Sequence, residues 1–368
     1  MSFSILCLFL LMVLVAACTL AQVRLGTFGA VSMYIRSVWV YWTPEGSRLH
    51  IPVFPGGGLV GFLLLVNLIV VQYGRLELSW RKAGIWAIHL GLIFLFVGEF
   101  VTGFFQVDSQ MAIDKGATRN YAESPREVEL AVVDSSPKDY DEVLAFPGSY
   151  LRDGRLIEHK KLPFSLLIKK YYANSSSARR VPVRGGLPSM ATEGVGRDMA
   201  VFERPPTTQD DQVNQAAAFV EVLSGDRSLG TWLLSTEIGG LQSFTYMDRV
   251  YRLAVRPKRR YMPFTLTLKE FRHEVHTRTD IPRLFSSLVR LRDPRSGERR
   301  DVLISMNQPL RYDGKTFYQA SFGKNDTMSV LEVVENPGRT LPYISCVMVG
   351  LGLLFHFLLR LKPMWSRS

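Results

Sequence analysis

Apolar residues in this chain gather into four blocks, separated by stretches in which polar side chains dominate. The first block, Phe3 to Leu20, carries no charge and no basic segment precedes it, so it predicts a retained membrane helix rather than a cleaved signal peptide. The second, GLVGFLLLVNLIVVQY from Gly58 to Tyr73, has Asn67 as its one strongly polar side chain. The third, GIWAIHLGLIFLFVGEFVTGFF from Gly84 to Phe105, reaches ~33 Å as a helix at ~1.5 Å per residue, enough to cross a hydrocarbon core of ~30 Å. The fourth is LPYISCVMVGLGLLFHFLL, Leu341 to Leu359. The expected architecture is an α-helical membrane anchor of four transmembrane helices, at 1–22, 58–73, 84–105 and 341–360, with a large, mostly-β extracytoplasmic domain over 106–340. A loop at 23–57 holds Tyr34, Trp39, Tyr41 and Trp42, which suit the headgroup layer, and is expected to be a surface loop with an interfacial helix.

The polar stretch alternates. VELAVVD, AAAFVEVL, RVYRLAV, SSLVRLR and SVLEVVE have strand patterning and are separated by Gly, Pro, Asp and Asn turns. It also repeats: LPFSLLIKKY from Leu162 parallels MPFTLTLKEF from Met262, and AAFVEVLSGDRSLGTWLLS from Ala217 parallels SSLVRLRDPRSGERRDVLIS from Ser286. QSFTYMDRVYRLAV and QPLRYDGKTFYQAS follow as strand, turn, strand. Two duplicated β-sandwich or barrel-like modules are predicted, at about 162–256 and 262–335, with Phe164 and Phe264 as core residues. An insertion at Ser175 to Asn214, rich in SSSARR and PPTTQDD, is expected to be loop.

Charge changes this picture little. The formal net charge is +11, but Lys and Arg are scattered without a nucleic-acid motif, so membrane lipid or an acidic partner is implied and no nucleic acid. Arg75, Arg81 and Lys82 outweigh Glu77 in the loop at 74–83, and Arg360, Lys362 and Arg367 mark the tail at 361–368. By the positive-inside rule both face the cytoplasm, which puts both termini there and the β domain on the outer, periplasmic side of a cytoplasmic membrane. Cys7, Cys18 and Cys346 all lie in apolar runs, leaving the β domain without disulfide or CxxC chemistry.

The chemistry to explain is two imidazoles inside the spans, since an ionisable group there is costly unless it faces protein, water or a ligand. His89 lies five residues into the third span and His356 fifteen into the fourth, which runs the other way, so span ends alone bring them to similar depth. Two imidazoles at one level suit the axial ligands of haem iron, with Arg81, Lys82, Arg360 and Lys362 near enough for propionates. The same pair suits a bis-His metal site, a proton relay, or plain packing within a bundle. Glu99 is placed where a carboxylate reaches headgroups, and His50, His159, His273 and His276 read as surface residues.

The segment MNQPLRYDGKTFYQASF, Met306 to Phe322, followed by SVLEVVENPGRTLPYISCVMVGLGLLFHF, resembles the end of the ResB/CcsB family of cytochrome c maturation proteins, as does the overall layout. The resemblance implies a subunit of the system II cytochrome c synthetase, a haem lyase complex. Such a subunit binds haem b non-covalently in the membrane and helps deliver it outward to CXXCH motifs of apocytochrome c. His89 then matches the family's third-helix histidine, an implied axial ligand, and His356 the histidine of its last helix. Implied partners are a CcsA/ResC-type membrane protein, apocytochrome c and, indirectly, thiol-reducing factors. The tryptophan-rich WWD haem-handling motif belongs to the CcsA/ResC-type partner and is absent here. No catalytic residue is therefore expected in this chain, and the second axial ligand comes from either His356 or that partner. The charged N-terminal segment common in the family is also absent. The alternative is a non-enzymatic membrane-anchored β-domain scaffold or assembly factor.

Overall fold

The computed structural model describes residues 2–44, 49–74, 79–137, 140–179, 189–209, 212–275, 282–323 and 327–365. Arg75, Glu77, His276 and Arg367 lie outside them. Among the described residues four helices are long and apolar enough to cross a membrane: α1 (Ser2–Ala30), α2 (Gly57–Gly74), α3 (Ala83–Phe105) and α4 (Leu341–Trp365). The protein is a multi-pass membrane protein with a β domain between the third and fourth spans.

α1 continues beyond the apolar block, because AQVRLGTFGA holds no residue that forces an end before Gly26, where φ is +70°. That break frees the carbonyls of Arg24 and Leu25, which accept hydrogen bonds from Gln209 Nε2 (3.2 Å) and Thr208 Oγ1 (2.9 Å) of the insertion. Beside it the Arg126 guanidinium sits 3.8 Å from the Phe28 ring centroid, tying the end of α1 to the β domain. A π turn at Val31–Ile35 follows. The aromatic loop then forms a hairpin of β1 (Trp39–Trp42) and β2 (Ile51–Pro55), where an interfacial helix was expected. Trp39, Val40, Tyr41 and Trp42 are β-branched and aromatic side chains that favour extended backbone.

The β domain contains β3 (Val107–Asp114), β4 (Thr118–Asp134), β5 (Glu142–Pro147), β6 (Arg155–Ile157), β7 (Ser165–Tyr172), β8 (Ser175–Arg179), β9 (Met199–Glu203), β10 (Ala217–Ser224), β11 (Arg227–Ser235), β12 (Gln242–Tyr246), β13 (Arg249–Val275), β14 (Pro282–Asp293), β15 (Glu298–Ser305), β16 (Leu310–Tyr312), β17 (Lys315–Gly323) and β18 (Met328–Glu335). The sequence repeat is a repeat of pairing. β7 pairs β10 and β10 pairs β11; in the second copy the far half of β13 pairs β14 and β14 pairs β15. β12 pairs the near half of β13 through a two-residue turn at Met247 and Asp248, both with positive φ, and β16 pairs β17 through Asp313 and Gly314, likewise positive. Positive φ at both positions is the type I′ turn that matches strand twist, so the copies agree down to turn chemistry.

Each copy has its own core. In the first, the four-stranded sheet β11-β10-β7-β6 packs Leu166, Ile168, Val220 and Trp232 against Leu130, Val132, Leu253 and Val255 of β4 and β13. Phe164 stands edge-on to Phe244 and Tyr251 at its centre. In the second, the sheet β15-β14-β13-β4-β3-β18-β17-β16 curls so that β15 nears β17, giving a barrel-like closure around Phe264, Leu266, Phe317 and Leu331. β4 and β13 run through both cores, and where they pass between them Glu123, Glu127 and Glu129 pair with Arg259, Lys258 and Arg256, each at 2.9 Å. Part of the insertion departs from the loop expected, since β8 and β9 pair from Ser175–Glu203 to Arg179–Met199, whereas residues 204–209 and 212–214 carry no helix or strand, and 180–188, 210 and 211 lie outside the described residues. The Ser175 N–H also donates to the Gln215 carbonyl, extending the backbone hydrogen bonding that serine composition does not announce.

Candidate functional site

The site is set by how α3 meets its two neighbours. Gly84, Gly91 and Gly98 recur every seven residues, two turns apart, and so line one face of α3. α4 lies on that face so closely that a Cβ at Gly84 would sit 2.6 Å from the Gly352 carbonyl oxygen and 2.9 Å from His356 Cβ. A Cβ at Gly91 would sit 2.7 Å from Val349 Cγ2, and one at Gly98 2.9 Å from Leu341 Cβ. Small residues permit this approach in lipid, where packing and hydrogen bonds drive association. Ser345 Oγ adds one such bond, donating to the Gly91 carbonyl at 2.7 Å.

This register places both histidines. His356 lies level with Gly84, in the α3/α4 seam. His89 is five residues on from Gly84, about 140° around the helix and ~7.5 Å along it, and so faces away from α4. It faces α2 instead, where His89 Nδ1 lies 3.0 Å from Gln72 Oε1. The structure therefore sets the two imidazoles on different faces of α3 and does not bring them together. Span ends suggested similar depth, but the close contacts of α3 and α4 stagger the pair.

Beside His356, Trp80, Ala83, Gly84 and Ala87 face Leu351, Gly352, Phe355 and Leu358 across an apolar groove of about 420 Å³ that opens outward from the seam. Trp80 meets Phe355 edge-on at 5.4 Å. Arg81, Lys82 and Arg360 are exposed at this end of the anchor. Among the described residues no group of three or more His, Cys, Asp or Glu side chains converges to hold a metal ion. Gln72 is the residue that sequence reading passed over. It lies near the end of α2, where an amide ordinarily reaches headgroups, yet its Nε2 is buried and has no hydrogen-bond partner among the described residues.

The other polar candidates settle into structural positions. Glu99 is exposed on α3. His50 stands edge-on to Tyr41, His159 to Phe146, and His273 lies against Phe322 with ring centroids 4.5 Å apart.

The segment Met306 to Phe322 proves to be built of folding determinants. Leu310 and Phe317 are buried core, and Asp313 and Gly314 form the turn. Tyr312 donates its hydroxyl to Asp293 at 2.9 Å, and Arg295 binds the same carboxylate at 2.8 Å, holding it well below the usual carboxylate range. Gln319 Oε1 accepts from Ser287 Oγ at 2.6 Å in a buried network that includes Ser329.

Comparison with known proteins agrees with this segment. Residues 242–330 match the model of the ResB-like family. The chain is also similar to Protein NrfI of Wolinella succinogenes, 31% identical over 106 residues. That alignment covers 29% of this chain and only 12% of NrfI, so the two share a part of their length.

Proposed function

This chain is ResB-like over residues 242–330, and from that premise we propose that it is a membrane-anchored subunit of a system II cytochrome c synthetase, with haem as cargo. The observation that carries the reading is the match itself, which falls on a β module held by four apolar helices. Thioether formation adds the S–H of an apocytochrome CXXCH cysteine across a haem vinyl double bond, with no leaving group. That reaction needs haem held close to reduced thiols. The chain's part is binding and orientation; a CcsA/ResC-type partner completes the ligation site, and thiol-reducing factors keep the cysteines available.

His89 is the axial ligand this chain supplies. The placement of His356 in the glycine seam, on another face of α3, favours a second ligand from the partner. Arg81, Lys82 and Arg360 supply cations for propionates at the end of the anchor remote from the β domain, which in this reading is the cytoplasmic end, in keeping with its basic residues. The β domain then lies outside, where apocytochrome is presented.

Deletion in the native host tests the reading. Covalently haem-stained c-type cytochromes should disappear, return with the parent chain, and fail to return with His89→Ala. Unchanged staining after deletion would overturn the role; full restoration by His89→Ala would leave a scaffold.

A further inference from the structure

Within that reading, we infer that Gln72 is a positioning residue that fixes the tautomer of His89 and presents its Nε2 lone pair for ligation. A neutral imidazole has one N–H and one lone pair. Gln72 Oε1 has no proton to give, so at 3.0 Å it accepts from Nδ1, and the lone pair is left on Nε2. Nε2 lies across the ring from α2, so the nitrogen able to bind iron is turned away from the helix that holds the ring. Metal-bound histidines are oriented in this way by an acceptor on their other nitrogen.

The placement of Gln72 is specific. Asn67, the other amide on α2, lies five residues earlier and about 140° around the helix, where it donates from Nδ2 to Ser4 Oγ of α1 at 2.8 Å. One amide of α2 thus serves α1 and the other serves α3. Two residues from the end of its helix, Gln72 is close enough to water to be solvated, yet its amide nitrogen is buried without a partner among the described residues. Burying that group is costly, and the contact made in exchange is the one to His89.

The test begins without haem. ¹⁵N-histidine NMR of the full chain in detergent, with His89 identified by the signal lost in His89→Gln, should show a neutral ring protonated on Nδ1. Gln72→Leu should move it toward the Nε2–H form; Gln72→Glu, which still accepts, should keep Nδ1–H. In complexes with a coexpressed CcsA-type partner, Gln72→Leu should lower haem affinity by about 10- to 100-fold and Gln72→Glu should retain it. An Nε2–H ring in the parent, or an Nδ1–H ring that survives Gln72→Leu, would overturn the inference even if haem still depends on His89. The expected tautomer in a complex that holds no haem would uphold the geometry and defeat the haem reading.

Discussion

Between α3 and α4 the backbones come so close that Gly91 has no room for a methyl group, whereas between α2 and α3 the contact is an amide against an imidazole. The first seam is shaped by the absence of side chains and holds His356 beside helix backbone. The second keeps a polar pair in a span that otherwise suits lipid. Two histidines that look equivalent in hydropathy therefore occupy different chemical settings: one packs where two helices lock, and the other is oriented by a hydrogen bond.

The comparison breaks most visibly at Gly91. Gly91→Leu should destabilise the folded chain by roughly 1–3 kcal/mol or more, since the new side chain meets Val349 and Ser345. Gly350→Leu on α4, whose Cβ meets nothing within 4 Å, should be near neutral in the same thermal unfolding assay. Equal effects would mean that the seam is not there. Removing the seam's hydrogen bond is gentler: Ser345→Ala should cost about 0.6–1.7 kcal/mol, the range for interhelical bonds in lipid.

The smallest effect separates the anchor from the β domain. Arg290 and then Lys269 hold the Asp301 carboxyl down to about 2. An unfolded aspartate titrates near ~3.9, so the stabilisation from this group is complete above that pH and is lost as pH falls through about 2. Asp301→Asn should flatten acid unfolding of the β domain in that window, followed by circular dichroism. It should leave the Gly91 and Ser345 effects unchanged.

Much of the fold was legible because its signals are local. Apolar runs marked the spans, and Phe164 and Phe264, matched across the repeat, are the centres of the two cores. Even the Asp313-Gly314 turn is a sequence signal. What sequence did not convey depends on register and on distant partners. Gly84, Gly91 and Gly98 repeat at seven residues and mark the α4 face of α3, which turns His89 elsewhere. Depth counted from span ends carried no information about that face. The pairing of Gln72 with His89 joins two helices across a connection, and the docking of Thr208 and Gln209 on α1 joins residues more than 180 apart. No local pattern announces either contact.

The most direct test of the claim that His89 supplies the iron ligand is the visible spectrum of the detergent-purified chain, alone and coexpressed with a CcsA-type partner, with His89→Ala and His356→Ala beside the parent. The account predicts a bis-histidine haem spectrum in the complex that is lost with His89→Ala and kept with His356→Ala. A bis-histidine spectrum in the lone chain that disappears with either substitution would contradict it.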